Sequence, residues 1–175
     1  MQQKRMLRRV AEGGLIAAMY TALTLILPVA AFGQVQFRVS EMLTILPVFT
    51  PAAIPGLAVG CFVSNLLGLT LGLNPAGVWD MAFGTAATLI AALLTYRLRD
   101  IRWKGLPVLA TLPPVLVNAG IVGLELAILL FGFSWGAYGL CAVWVALGQV
   151  GACSICGLAL FAALEKSGAA RRLFA

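Results

Sequence analysis

The stretch RLRDIRWK, residues 97–104, decides the fold of this 175-residue chain. It is a basic cluster in the middle of a sequence that is 62% hydrophobic and only 10% charged, whereas soluble domains carry about a quarter charged residues. Eleven of the twelve Lys and Arg residues lie here, in the N-terminal residues 4–9 or in the C-terminal residues 166–172. Because long apolar stretches separate these three basic regions, the sequence predicts a multi-pass membrane protein with all three on the cytoplasmic side.

Six apolar stretches, each bounded by Gly, Pro, Asn or charged residues, define the predicted membrane spans. These spans cover residues 10–32, 39–50, 51–73, 79–96, 106–131 and 137–164. The second span is unusually short. Its 12 residues would form an α-helix of about 18 Å, against roughly 30 Å for the hydrocarbon core of a bilayer. By length alone this segment would be re-entrant.

The number of crossings follows from the basic loop at residues 97–104. If residues 39–50 did not cross, this loop would lie outside whenever the N-terminus lies inside, against the positive-inside rule. We therefore predict six crossings in an all-α bundle with a short second helix, forming a single membrane domain over residues 1–175, with both termini cytoplasmic. Pro47, Pro51 and Pro55 would bend the short passage, and neighbouring helices must shield it from lipid.

Most polar residues within the apolar stretches fall in the outer half of the predicted bundle. Ionisable groups at such depth are costly, and they are commonly interior, paired and functional. Two of these polar residues, Asn118 and Glu125, are almost two helical turns apart and so share one stripe of the fifth span. The candidate ligand-binding residues are Arg38, Glu41, Asn65, Asp80, Asn118, Glu125 and Gln149. Together they predict a polar pocket that opens to the outside.

Four aromatic residues are predicted at the same level, namely Trp79, Trp135, Tyr138 and Trp144. They could sandwich a flat ligand, since aromatic faces stack on planar rings. Alternatively, those at span ends could form the aromatic belt that anchors a protein at the membrane surface.

Several polar candidates also have a structural interpretation. Arg38 and Glu41 lie three positions apart and could form an ion pair that holds the short helix in place. Asn65 and Gln149 could join neighbouring helices by hydrogen bonds. Asp80 opens the fourth span and could complement the dipole of that helix.

The carboxylates are harder to explain by structure alone. Apart from Arg38, no basic residue lies within the predicted spans to neutralise Asp80 or Glu125. A cationic ligand, or one rich in hydrogen-bond donors, would stabilise them.

The first span carries a ridge of small residues. Gly14, Ala18 and Ala22 recur at four-residue spacing, with Ala11 one turn earlier, and such a ridge lets another helix approach closely. The same pattern is also compatible with ordinary packing inside the bundle.

Other function classes find no support in the sequence. There is no histidine, which removes the commonest general base, and no G-x-x-x-x-G-K-[ST] loop for binding nucleotide phosphates. No internal repeat typical of inverted-repeat transporters is evident. We predict no metal site, no cofactor and no nucleic-acid partner. A bundle whose pocket opens only to the outside, and which has no nucleotide-binding loop to drive transport, is expected to capture a ligand. A partner protein would then drive its transport across the membrane.

Four segments carry a resemblance to a known family. They are residues 35–41, which read VQFRVSE; residues 56–68, with Gly60 and Asn65; Asp80 with Gly84 and Thr88; and residues 114–118, which read PVLVN, followed by Val122, Gly123 and Glu125. Together they resemble the QueT family over nearly the whole chain, and QFRVSE is the most specific part.

The resemblance implies a six-helix substrate-binding subunit, or S-component, of an energy-coupling factor (ECF) transporter in the cell membrane, and not an enzyme. Such a subunit would bind a queuosine precursor, such as a 7-deazaguanine-type base, from the outside. It would then associate with a transmembrane coupling subunit and two ATPase subunits, using Ala18 and Ala22. We expect Glu125 or Asp80 to accept the N–H donors of the base, with Asn118 and Asn65 beside it.

Other functions stay open at this point. The chain could be an S-component for a different vitamin-like molecule. It could be an intramembrane enzyme that uses Asp80 and Glu125 as acid and base. A purely structural subunit would leave the outer carboxylates unexplained.

Overall fold

The computed structural model describes residues 2–33 and 36–174, with the exception of the Arg171 side chain. This part of the chain is helical and contains no β-strand. The helices are α1 (Gln2–Ile26), α2 (Pro28–Ala31), a 3-10 helix (Val39–Val48), α3 (Ala53–Thr70), α4 (Val78–Arg97), a short 3-10 turn (Val108–Thr111), α5 (Leu112–Phe131), α6 (Trp135–Gln149), a π-helical segment (Val150–Cys156), α7 (Gly157–Lys166) and α8 (Ala169–Phe174).

Five of the predicted spans are helices that are long and apolar enough to cross a membrane. They are Gln2–Ile26, Ala53–Thr70, Val78–Arg97, Val108–Phe131 and Trp135–Lys166, the last running through α6, the π-helical segment and α7. The predicted helical membrane bundle is therefore confirmed. The count of six spanning helices is not exact, because the predicted second span is a shorter helix of a different kind.

That second segment, Val39–Val48, is a 3-10 helix. Pro47 lies inside it and would clash with the preceding turn of an α-helix. A 3-10 helix rises about 2.0 Å per residue, so a segment of 10 residues extends about 20 Å, against about 15 Å in α-helical form. Tighter winding thus lets a short segment cover more of the bilayer thickness. Eight of its residues are buried, so its neighbours shield it from lipid.

The 3-10 helix runs antiparallel to α1. Near the end of α1, the hydroxyl groups of Thr24 and Ser40 lie 2.7 Å apart. Nearer the start of α1, Glu12 accepts a 3.0 Å hydrogen bond from Thr50, which follows the 3-10 helix. The chain therefore returns along α1 over this short segment.

Helices α1 and α3 are parallel and very close. A Cβ atom on Gly56 would lie 2.7 Å from the carbonyl oxygen of Gly13. Further along both helices, Thr21 donates a 3.2 Å hydrogen bond to the carbonyl oxygen of Gly60. Because α1 and α3 run in the same direction, the segment between them must return across the bundle, as the count of crossings based on the basic loop at residues 97–104 requires.

The three basic regions of the sequence meet at one end of the bundle. Arg8 of α1 donates a 3.2 Å hydrogen bond to the carbonyl oxygen of Leu173 in α8. Phe49 stacks on Phe161 of α7, with ring centroids 5.1 Å apart. Arg102 of the middle loop also lies over the Phe161 ring, with its Cζ atom 4.7 Å from the ring centroid. That this end is cytoplasmic stays a prediction of the positive-inside rule.

Candidate functional site

Two of the polar residues predicted in the outer half, Arg38 and Asp80, form a buried ion pair. Arg38 precedes the 3-10 helix and Asp80 lies in the first turn of α4. The Arg38 Nη2 atom contacts Asp80 Oδ2, and Arg38 Nε donates to the carbonyl oxygen of Ala31 at 3.0 Å. Asn74 donates a 3.0 Å hydrogen bond to the same Asp80 oxygen. Arg38 and Asp80 are only 3% and 0% exposed.

Asn65 of α3 joins this ion pair from the other side. Its amide nitrogen donates a 2.7 Å hydrogen bond to the backbone carbonyl oxygen of Asp80. Asn65 therefore joins two neighbouring helices, as the structural interpretation of this residue expects. Gly84, one turn along α4, makes room for the arrangement, because a Cβ atom there would lie 2.7 Å from Asp80 Oδ1 and 3.2 Å from the Asn65 amide. The acceptor oxygen of Asn65 is still without a partner among the described residues.

Glu41 lies beside the ion pair without joining it. Its Oε1 atom accepts a hydrogen bond from the hydroxyl group of Tyr20, which is fully buried on α1. The structural alternative of an ion pair between Arg38 and Glu41 is therefore not what the structure shows: Arg38 is paired with Asp80 across the bundle. The physical reason is that the start of the 3-10 helix packs against the start of α4, which offers a carboxylate in a better position.

Helix α5 supplies the remaining polar stripe. Asn118 and Glu125 are both 3% exposed, so the predicted shared face is turned into the protein. Helix α5 packs against α4, which carries Asp80 in its first turn. We call Arg38, Glu41, Asn65, Asp80, Asn118 and Glu125 the polar cluster.

The polar cluster contains more hydrogen-bonding atoms than its members satisfy. Six buried atoms lack a partner among the described residues, namely Glu41 Oε2, Asn65 Oδ1, Asp80 Oδ1, Asn118 Nδ2 and both carboxylate oxygens of Glu125. A buried polar atom without a partner costs about 1–3 kcal/mol, and more when it is charged. These unpaired atoms are available to form hydrogen bonds with a ligand.

The cluster is closed in this conformation. None of its six members is more than 3% exposed. The sequence predicted a pocket open to the outside, and the structure instead shows these residues covered. A ligand can reach them only after the surrounding helices or loops move.

The predicted aromatic residues separate into two groups. Trp79 and Trp135 are 57% and 78% exposed, and their rings contact Phe83 and Phe133 rather than the polar cluster. Tyr138 and Trp144 are half-buried against the apolar core between α4, α5 and α6. The exposed pair is placed as the aromatic-belt alternative expects.

Gln149 is buried at the junction of α6 and the π-helical segment. Its side-chain oxygen lies 2.9 Å from Cys153 Sγ, four residues along the same helical stretch. The structure thus gives Gln149 a bond within its own helical stretch and does not place it against Asp80 or Arg38.

Three comparisons with known proteins bear on this arrangement. The sequence model of the QueT transporter family matches residues 10–166. The chain belongs to the QueT transporter family. This is a family of transporters and not of enzymes.

A curated member of the family extends the comparison. The Queuosine precursor transporter QueT of Lactococcus lactis subsp. cremoris (strain MG1363) is 34% identical to this chain over 99 residues. The alignment covers 52% of this chain and 54% of the relative, so it spans about half the length of each. No solved structure matches the chain.

Sequence reasoning missed two polar residues of this QueT-family protein: Tyr20, which is buried, and Thr85, which is half-buried. Tyr20 was missed because a single tyrosine within an apolar helix is compatible with ordinary packing in the bundle. Thr85 follows Gly84 on α4, and its hydroxyl oxygen is also buried without a partner in the described part of the chain. The sequence feature that could have identified Thr85 as a candidate is its position next to Gly84, about one and a half turns beyond Asp80 in the same helix.

The small-residue ridge on α1 lies on the outside of the QueT-family fold. Gly14, Ala18 and Ala22 are all exposed, and a Cβ atom on Gly14 would meet nothing within 4 Å. The neighbouring Gly13 instead faces α3. Helix α1 thus uses one set of small residues for internal packing and presents a second set outward.

Proposed function

We propose that this protein is the substrate-binding subunit of an ECF-type importer and captures a queuosine precursor, a 7-deazaguanine-type base or a related compound. The support comes from its family and from the name of its relative in Lactococcus lactis, a queuosine precursor transporter. The observation that carries the proposal is the set of unpaired buried atoms in the polar cluster.

These atoms match the edge of a guanine-like base. Five of the six are oxygens that accept hydrogen bonds, and one, Asn118 Nδ2, is a donor. A guanine-type edge offers adjacent N–H donors next to one carbonyl acceptor, and a carboxylate can accept two such donors at once. Glu125 has both oxygens available for the donors, while Asn118 on the same face of α5 supplies the donor for the carbonyl group.

The charges favour a cationic substituent on the ligand. The cluster contains the carboxyl groups of Glu41, Asp80 and Glu125 against a single guanidinium group, that of Arg38. Asp80 is already paired with Arg38. An aminomethyl group on the base would therefore gain most beside Glu41 or Glu125, since a buried charge is stabilised by a partner of opposite sign.

The transport step depends on partners. The sequence has no phosphate-binding loop of its own, so ATP hydrolysis is assigned to two ATPase subunits, acting through a transmembrane coupling subunit. The exposed ridge of Gly14, Ala18 and Ala22 is the surface that we assign to the coupling subunit, because small residues allow close contact between helices in a membrane. The ligand enters from the outer side of the cell membrane, with both termini in the cytoplasm.

A binding experiment on the purified full-length protein tests the ligand. Calorimetric titration with 7-deazaguanine bases, with and without an aminomethyl substituent, is expected to show binding of both and tighter binding of the aminomethyl compound. Absence of binding by either base, together with binding of another vitamin-like compound from a panel, would overturn the assignment. Chemical conversion of the bound ligand would indicate an enzyme instead.

A further inference from the structure

A cavity lined by arginines lies at the end of the bundle opposite the polar cluster. Arg5, Arg8 and Arg9 of α1 line it together with Glu12, Phe49, Thr50, Pro51 and Phe174, and its volume is about 380 Å³. The stacked rings of Phe49 and Phe174, with centroids 5.9 Å apart, form its wall on the side of the bundle.

The cavity keeps an excess of positive charge. Glu12 is paired with Arg8 at 2.9 Å, and its other oxygen accepts the hydrogen bond from Thr50 at 3.0 Å. Among the described residues, Arg5 and Arg9 have no acidic partner within 4.0 Å. Three arginines against one glutamate leave a cavity that attracts an anion, and the planar guanidinium group suits phosphate oxygens in particular.

Two apolar grooves extend from this cavity along opposite flanks of α1. The first, of about 440 Å³, begins at Met6 and Arg9 and follows α3 as far as Ala17 and Val59. The second, of about 310 Å³, begins at Arg8 and Phe174 and follows the 3-10 helix and α7 as far as Met19. Each groove shares at least one arginine with the cavity.

The length of the grooves matches one leaflet of a bilayer. The second runs along α1 from Arg8 to Met19, which is about 16 Å at the rise of an α-helix. Half of a hydrocarbon core is about 15 Å. A charged site at the membrane surface, joined to two apolar grooves one leaflet deep, has the shape and polarity of a phospholipid.

We propose that this cavity binds the phosphate headgroup of an anionic phospholipid, whose acyl chains lie in the grooves beside α1. The positive-inside rule places this end in the cytoplasm, and the anionic lipids of that leaflet attract basic residues near the membrane surface. An acidic protein partner would satisfy the arginines, but it would not account for apolar grooves that descend to the middle of the bilayer on both flanks. Gly14 of the outer ridge also lines the first groove, so the lipid would lie beside the surface that we assign to the coupling subunit, whereas ligand capture by the polar cluster does not depend on it.

The test compares lipids retained by the full-length protein. The protein is reconstituted in vesicles of equal parts phosphatidylglycerol, phosphatidylethanolamine and phosphatidylcholine, extracted in detergent, and examined by native mass spectrometry. We expect preferential retention of phosphatidylglycerol. The Arg5→Gln/Arg9→Gln variant is expected to lose it about twenty-fivefold, since each basic residue near an anionic surface contributes about fivefold to binding. The control, Arg97→Gln/Lys104→Gln, removes the same charge from exposed residues at the same end and should retain the lipid.

Several results would overturn the proposal. Equal losses in both variants would show a general attraction of the basic surface, and equal retention of phosphatidylcholine would show no selectivity for charge. Displacement of the lipid by millimolar glycerol phosphate would identify a site for a soluble phosphate. If the Arg5/Arg9 variant kept the lipid but lost its partner subunits during purification, the arginines would belong to a protein interface.

Discussion

Arg38 and Asp80 lie 42 residues apart in the chain and form an ion pair in the interior of the protein. The pair joins the start of the 3-10 helix to the start of α4, and hydrogen bonds from Asn65 and Asn74 hold Asp80 in place. It is therefore both part of the fold and part of the candidate site. The first prediction separates these two roles.

Removing one partner of the pair should destabilise the protein more than removing both. Arg38→Gln or Asp80→Asn alone leaves a buried charge without its counter-ion, which costs about 3–5 kcal/mol. The double variant leaves two neutral groups that can hydrogen-bond, so its loss should be smaller than the sum of the single losses. Thermal unfolding in detergent measures all three. Additive losses would show that the two side chains do not interact.

Glu125 should matter for binding and not for folding. Glu125→Gln keeps the size of the side chain but replaces one acceptor oxygen by a donor group, so it should weaken binding of a 7-deazaguanine base at least tenfold, as expected for the loss of a charge-assisted hydrogen bond. The melting temperature of the variant should stay the same or rise. Both Glu125 oxygens are buried without a partner in the described part of the chain, so the substitution removes a buried charge without breaking a hydrogen bond.

The control for Glu125 is Glu165→Gln, which makes the same chemical change at an exposed position near the end of α7. It should bind the base like the wild type. Full affinity in the Glu125 variant would remove Glu125 from the site and leave Asp80 or Glu41 to accept the donors.

The sequence predicted the bounds of the membrane helices because the length of an apolar stretch and the basic residues at its ends can be read directly from the local sequence. The predicted fourth span, residues 79–96, differs from α4 (Val78–Arg97) by one residue at each end. The same reasoning gathered Arg38, Asp80 and Glu125 into one half of the bundle. The choice of Asp80 over Glu41 as the partner of Arg38 could not be predicted, because pairing across the bundle depends on how distant elements pack. Spacing within one helix carries no information about that.

Two further features could not be read from the sequence. Proline marked the second segment as irregular, but its 3-10 geometry depends on the fit between α1, α3 and α7. The closed state of the polar cluster depends on the packing of helix ends and loops, which composition does not describe. Tyr20 illustrates the same limit, since its role is defined only by the carboxylate of Glu41 opposite it.

The same substitution at two glycines should have opposite effects on stability. Gly56→Ala would place a Cβ atom 2.7 Å from the carbonyl oxygen of Gly13, and forcing extra atoms into a packed crossing costs about 1–3 kcal/mol. Gly14→Ala meets nothing within 4 Å, and alanine is favoured over glycine in a helix by about 0.5–1 kcal/mol. Melting temperatures of both variants should therefore move in opposite directions. A stable Gly56→Ala protein would contradict the close parallel packing of α1 and α3.

Larger side chains on the outer ridge should affect uptake without affecting capture. Ala18→Leu adds bulk on an exposed face of α1, so the isolated protein should fold and bind the base like the wild type. If the ridge contacts the coupling subunit, the added side chain holds the two helices apart, because small residues are what permit their close approach. Cells that carry the variant with its partner subunits should then take up labelled precursor at a strongly reduced rate.

A matched variant on another helix shows whether the position on α1 is decisive. Leu147→Phe enlarges a side chain that is also exposed, at 65%, but that lies on α6 and not on the ridge of Gly14, Ala18 and Ala22. It should leave uptake unchanged. Equal loss of uptake in both variants would mean that uptake responds to bulk on any outward-facing helix, and unchanged uptake in both would move the coupling surface away from the ridge. Loss confined to Ala18→Leu, with unchanged binding of the base by the isolated protein, assigns the contact to the ridge on α1.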